Sequence, residues 1–208
     1  MFNISKKEKQ IEGEIGYYSL VDWWLTTFTE EERSHIEEVF HPFGADPNSK
    51  PLTEGKIDYS SQNAAGLLHA LAGWFNKPGD REIARKIIQK AEELAQKGTD
   101  VLDLHFTFQQ EIEIYYRDRD TDPTALDKAI KACEEQIKIA PETAKAFLKE
   151  YPGQSLPAHV GYSQLAIILK KQGEYKKVIE VCEQAKKQRW SGDWDRRIEE
   201  ARKKLLKK

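Results

Sequence analysis

Alternate carboxylates in Asp118-Arg119-Asp120-Thr121-Asp122 have the spacing that opens a calcium loop, because side chains two residues apart can converge on one hard cation. The pattern then stops. Pro123 stands where such a loop needs glycine, and Ala129 where a bidentate glutamate would close the shell, so the run reads as a solvated turn. The chain's five histidines (His35, His41, His69, His105 and His159) form no HExxH pair and no His/Cys cluster at zinc spacing. Cys133 and Cys182 lie far from any CxxC pattern and at the apolar positions of helices, where a reduced thiol behaves as a small hydrophobe. There is no GxSxG elbow for a nucleophile and no glycine-rich phosphate loop, and abundant helix-surface carboxylates do not amount to an acid/base pair. No catalytic residue, metal or cofactor is therefore assigned.

Two weaker chemistries stay in view. His69, His105 and His159 fall in or beside the first helices of successive hairpins, so they could converge with nearby acids as a metal- or ligand-binding enzyme site. Arg196, Arg197, Arg202, Lys203, Lys204, Lys207 and Lys208 make the C-terminal helix locally basic, which suits either a solvated helix end or a phosphate-binding stripe for nucleic acid. The solvated end is the preferred reading, and nucleic acid is not the expected partner.

Whatever these residues do, helices must position them. The 208 residues are 39% hydrophobic and 33% charged, enough of both for a folded body of one domain or a short repeat array. The 33 basic and 35 acidic residues nearly cancel, so the whole chain has no charge footprint for nucleic acid or an anionic membrane. The N-terminal stretch lacks the apolar run of a signal peptide, and the longest aliphatic run, Leu165 to Leu169, is too short to span a bilayer. A cytoplasmic, non-membrane protein is expected.

Apolar residues recur at helical spacing almost throughout, and no segment shows sustained strand alternation, so the fold is all-α. Residues 1–41 read as an N-terminal helical pair. Its first helix would run from Ile15 to Phe28 with Tyr17, Leu20, Trp24 and Phe28 on one packed face and Trp23 turned to solvent; the second opens at a Thr29/Glu32 capping box. Residues 42–60 hold so many Pro and Gly that they form a loop, long enough to be mobile or functional. Three helical hairpins follow at about residues 61–98, 101–141 and 158–190. The second hairpin's second helix is expected to start at an Asp122-Pro123 cap and end at Pro141, with Pro141 to Glu150 adding a turn or two. A helix over residues 193–206 closes the chain on Trp194, Ile198, Ala201 and Leu205.

The third hairpin carries the clearest pattern: Leu165 and Ala166, Gly173 in the turn, Tyr175, then Val178, Cys182 and Ala185. Leu71, Ala72, Gly79, Ala84, Ile88 and Ala91 repeat it, as do Ile112, Tyr116, Ala129, Cys133 and Gln136. These residues resemble the tetratricopeptide repeat, a 34-residue helix-turn-helix. Separations of 45 residues from Ala84 to Ala129 and 49 from Ala129 to Val178 depart from that period, so the resemblance is to an irregular antiparallel α-solenoid with a C-terminal cap. It implies a non-enzymatic scaffold that binds a protein or peptide segment on the first helices. By position, the groove residues would be Asn63, His69, Gln109, Glu113, Ser163, Ile167 and Lys170, with Tyr116 reserved for packing.

Overall fold

The computed structural model describes residues 11–207, and among these every regular element is helical. The first ten residues of the expected N-terminal unit and Lys208 lie outside the described residues. Instead of one helix over residues 15–28 there are two, α1 (Gly13–Tyr17) and α2 (Val21–Thr27). Ser19 takes the left-handed conformation (φ 57°), and Leu20 N–H donates back to the Ile15 carbonyl at 2.9 Å, which closes α1 in the manner of a Schellman turn. That break shifts the helical phase. Tyr17, expected on the packed face, is 40% exposed, whereas Trp24 and Phe28 stay buried at 1% and 3%. Tyr18 packs instead, its hydroxyl donating to the Gln62 carbonyl (2.6 Å) and lying 2.8 Å from Ser60 Oγ. Trp23 is half-buried, its ring 5.3 Å from Phe28.

Helix α3 (Glu30–Val39) opens on the expected capping box: Glu32 N–H donates to Thr29 Oγ1 (3.1 Å) and Thr29 N–H to Glu32 Oε2 (2.9 Å). Residues 51–55 of the Pro/Gly-rich segment after it are docked. Amide groups of Glu12, Gly13, Glu14 and Ile15, which a helix start leaves without intrahelical partners, donate to the carbonyls of Thr53, Gly55, Pro51 and Leu52. Leu52 is fully buried. Gly13 has φ +55°, and a Cβ there would stand 2.5 Å from the Pro51 carbonyl oxygen, so only glycine permits this approach.

The rest is α4 (Ala64–Ala72), a 3₁₀ turn at Pro78–Asp80, α5 (Arg81–Lys97), α6 (Val101–Arg117), α7 (Ala125–Glu150), α8 (Val160–Lys171), α9 (Tyr175–Lys187) and α10 (Trp194–Leu205). Helices α4/α5, α6/α7 and α8/α9 pack as successive hairpins, and α10 packs on α9. The last turn is built on Gly173 at φ +76°. First helices also touch one another, α4 with α6 and α6 with α8. Their direction follows from the contacts. Asn63 meets Asp103 and Asn76 meets Arg117 across one boundary, while His105 meets His159 and Tyr116 meets Lys171 across the other, so residue numbers rise together and the three helices run parallel.

Two apolar clusters share the interior. One joins α1–α5 and the docked loop; the other joins α6–α10. Helix α6 contributes Ile114 to the first and Ile112 to the second. Cys133 and Cys182 are both fully buried, and burial pushes their thiols up to about 12 and about 11, as befits packing groups. The terminal helix buries Trp194, Ile198 and Ala201 as its spacing requires, while Leu205, expected with them, is half-buried in the helix's last turn.

Helix α7 differs from expectation at both ends. It runs through Pro141 to Glu150, so the second hairpin does not stop at residue 141. Pro141 lies exposed, so losing its amide bond costs little to the core, and Ala140, Thr143 and Phe147 on the buried side hold the helix together. At the start, Thr124 rather than Asp122 is the cap; Asp122 Oδ1 instead accepts from Thr124 N–H and Oγ1 at 2.8 Å.

The turn between α6 and α7 is exposed at Asp120, Thr121, Pro123 and Thr124, as expected, but not at Asp118. Asp118 has no solvent exposure, and its carboxylate pairs with Arg81 Nε (2.8 Å), Arg85 Nη2 (2.8 Å) and Arg117 Nε (3.5 Å). Arg85 also meets Asp122 at 2.9 Å, and Arg117 donates to Asn76 Oδ1 at 2.7 Å. The acidic run thus ties the second hairpin to the start of α5. Removing one partner of a buried charge cluster strands the others, so Asp118→Ala is expected to lower urea-unfolding stability by about 3–5 kcal/mol; a loss below about 1 kcal/mol contradicts the assignment. Ser19→Gly relieves a left-handed non-glycine residue and is expected to raise stability by about 1 kcal/mol in the same assay.

Candidate functional site

The exposed sides of α4, α6 and α8 form the surface on which the candidate residues fall, and each position can be checked. Asn63 caps α4, its Oδ1 accepting Gly66 N–H at 2.8 Å, while its Nδ2 donates to Asp103 Oδ2 at 2.5 Å. It holds α4 to α6. Lys170 does the same at the other end, pairing with Glu200 of α10 at 2.7 Å. Glu113 is exposed, and Gln109, Ser163 and Ile167 are half-buried. His69 is half-buried with its ring 5.8 Å from Phe106, and burial lowers its pKa.

Residues outside that set contribute as much. Phe106, 38% exposed, projects from α6 between His69 and Phe147. Tyr116 bridges α6 to α8: its hydroxyl accepts from Lys171 Nζ at 2.9 Å, and the Arg119 guanidinium lies 4.4 Å from its ring. Phe106 could have been found from sequence, since it lies seven residues before Glu113 on one helical face.

Two of the three histidines converge. His105, in α6, and His159, at the N-cap of α8, have ring centroids 5.1 Å apart and nearly perpendicular planes. Trp190 stacks on His105 at 5.9 Å and meets His159 edge-to-face at 4.6 Å. Phe147 closes the group, 5.5 Å from His105 and 6.0 Å from Trp190. Among the described residues, His69 meets this group through Phe106. An edge-to-face imidazole pair points the edge of one ring at the face of the other, which does not aim two lone pairs at one ion. His159 Nδ1 is already occupied, accepting Tyr162 N–H at 3.3 Å. Among the described residues no group of three or more His, Cys, Asp or Glu could hold a metal ion.

Beneath the rings, Gln136 joins three helices. Its Nε2 donates to the His105 carbonyl (2.8 Å) and its Oε1 accepts Gly161 N–H (2.6 Å). A Cβ at Gly161 would lie 2.7 Å from Gln136 Oε1 and 3.0 Å from the Cys133 carbonyl, so α8 approaches α7 this closely only with glycine there. Beyond the rings, a cavity of about 290 Å³ opens between the end of α7 and the following loop, lined by Phe147, Leu148, Tyr151, Leu156 and Pro157 among others. Ser191 fixes its far wall, donating to the carbonyls of Leu156 (2.5 Å) and Pro157 (3.1 Å).

The basic C-terminal helix is largely self-neutralised. Arg196 and Arg197 both pair with Asp193, Arg202 with Glu183 at 2.9 Å and Lys203 with Glu199 at 2.5 Å. Four of the helix's basic side chains are thus engaged by acids. Among the described residues no helix is long and apolar enough to cross a membrane. Compared with known proteins, no family model, no curated protein and no solved structure matches the chain.

Burial sets the titration of this region. Desolvation lowers His105 to about 4 and His159 to about 3, so both imidazoles are neutral at pH 7. Glu111, on α6, moves the other way, to about 8, because it is buried and faces Glu92 of α5, with Lys131 only partly compensating. A histidine with a depressed folded-state pKa takes its proton more readily when unfolded, so its contribution to stability is lost as pH falls from the ordinary 6.5 towards 4. Replacing it should flatten that slope. Between pH 6.5 and 4, His105→Phe is expected to lose less stability than the parent, by about 1 kcal/mol or more, in urea unfolding. Glu111 loses stability as pH rises from 4.5 through about 8. Glu111→Gln is therefore expected to be more stable than the parent at pH ~9 by about 1–3 kcal/mol, the advantage vanishing near pH ~4. Parallel pH profiles for parent and variants would contradict both.

Proposed function

We propose that the chain is a non-enzymatic, cytoplasmic scaffold, an irregular tetratricopeptide-like solenoid that binds a protein or peptide segment on the outer sides of α4, α6 and α8. The observation that carries this reading is the parallel, side-by-side placement of these three helices, with Phe106, Gln109, Glu113, Ser163 and Ile167 left at or near their surface. Second helices take the packing role, each lying against first helices, so the first helices keep one side free. Helices α1–α3 close one end and α10 the other, as terminal units of a repeat stack require. The two thiols are unpaired and buried, in keeping with a reducing compartment.

The histidine pair supports the scaffold reading as well. Its rings pack against Trp190 and Phe147 and stay neutral, so they serve to hold the first helices in register. Asn63 and Lys170 fit better as ties between neighbouring helices than as groove residues. The partner-contacting set is then His69, Phe106, Gln109, Glu113, Ser163 and Ile167.

Peptides selected from a random displayed library on the immobilised chain provide the test. The variant Phe106→Ala/Glu113→Ala/Ile167→Ala is expected to bind the selected peptides at least tenfold more weakly, a loss of about 1.4 kcal/mol. Lys176→Ala on α9 serves as the control and should leave affinity unchanged. Equal binding by the triple variant, or failure to select any peptide, overturns the surface assignment.

A further inference from the structure

We infer that the cavity at the end of α7 receives an arginine side chain of the bound peptide, its guanidinium lying against the rings of Phe147 and Tyr151 beside Glu150. This rests on the peptide-binding reading and adds a specificity to it. The cavity adjoins the proposed surface directly, because Phe106 of α6 and Phe147 of α7 have ring centroids 6.0 Å apart. A peptide crossing α6 at Phe106 would therefore pass the mouth of the cavity.

The lining suits a long side chain with a flat cationic end. Leu148, Leu156 and Pro157 offer apolar contact to the three methylenes, and a volume of about 290 Å³ accommodates one large side chain. Phe147 and Tyr151, with centroids 6.5 Å apart and planes inclined at 31°, offer adjoining aromatic faces, on which a guanidinium stacks. The Phe147 wall is set in advance. His105, Phe106 and Trp190 all meet it at nearly right angles, so its ring cannot turn without displacing three neighbours.

Charge favours a cation over a neutral apolar group. The cavity lies at the C-terminal end of a 26-residue helix, where the helix dipole presents partial negative charge. The Glu150 carboxylate interacts with the Tyr151 phenol and raises its pKa, so an acidic side chain lies beside the Tyr151 wall of the cavity. Tyr151 is 47% exposed, so the position is accessible. Lys149 is the neighbouring cation in sequence, but helical geometry turns it away from Phe147 and Tyr151, each two positions from it. Asp103, one turn before Phe106 on α6, adds a second carboxylate along the approach. Gln154 and Ser155 at the polar edge supply oxygen acceptors for the guanidinium N–H groups.

The full chain, isotopically labelled, is titrated with Nα-acetyl-arginine amide, Nα-acetyl-lysine amide and Nα-acetyl-leucine amide and followed by amide chemical shifts. Arginine amide is expected to cause saturable shifts at Tyr151, Gln154 and Ser155, and to bind about threefold or more tightly than either of the others. Tyr151→Leu should abolish saturation. Glu150→Gln should weaken arginine amide selectively and remove most of its salt dependence; both positions are exposed, and circular dichroism checks their folding. Equal affinity for leucine amide means an apolar pocket, equal affinity for lysine amide means a cation site without arginine preference, and no saturable shift means no site; each overturns the proposal. Retained arginine-amide binding in a chain that captures no peptide overturns the surface reading alone, whereas peptide capture without arginine-amide binding overturns the pocket alone.

Discussion

Helix α6 has to satisfy neighbours on three sides, and the architecture follows from how it does so. Towards α4 and α5 it buries Ile114 in the first apolar cluster; towards α7 and α8 it buries Ile112 in the second. Its fourth side carries Phe106 and Glu113 to the surface. A helix with so little spare perimeter can be neither rotated nor shifted by a residue without exposing one core or burying a charge. Both halves of the molecule are therefore registered against the same element, and the parallel placement of α4 and α8 on either side of it is a consequence.

Polar groups complete what the apolar contacts begin. Asp118 at the end of α6 is buried against Arg81, Arg85 and Arg117, so the turn into α7 and the start of α5 meet at one point. At the opposite end Gln136 bonds the His105 carbonyl and the Gly161 amide, where α6, α7 and α8 converge. Such buried polar contacts add little net stability beyond an apolar alternative, but they penalise every arrangement in which a partner is missing. They fit a role in specifying the stack's geometry. The neutral His105/His159 pair belongs to the same class, with aromatic contacts in place of charge.

The long α7 gives the molecule its asymmetry. By continuing through Pro141 it carries Phe147 level with His105 and Phe106 in the first turns of α6, and the chain must then return along residues 151–159 to begin α8. That return forms the wall of the cavity and is held by Ser191. The long spacing between the second and third hairpins is thus used to build a concavity beside the first-helix surface.

Much of this was legible in the amino-acid order. Helical periodicity, the Thr29/Glu32 box, the Gly173 turn and the burial of Cys133 and Cys182 are local or nearest-neighbour properties, decided by side-chain spacing and backbone conformational cost. What required the folded chain were contacts between residues distant in sequence. Asp118 looked solvated because the arginines that bury it come from α5, and Pro141 looked like a terminus because the packing of Thr143 and Phe147 that carries the helix past it is tertiary. Tyr17 left the core because a single left-handed residue, Ser19, reset the phase of everything before it. Among the candidate surface residues, helix and side were readable, but not which were free: Asn63 and Lys170 are exposed as Glu113 is, but the neighbours Asp103 and Glu200 engage them. Local patterns set where a side chain points; what it meets there depends on loop closure and helix packing, which no window of sequence contains.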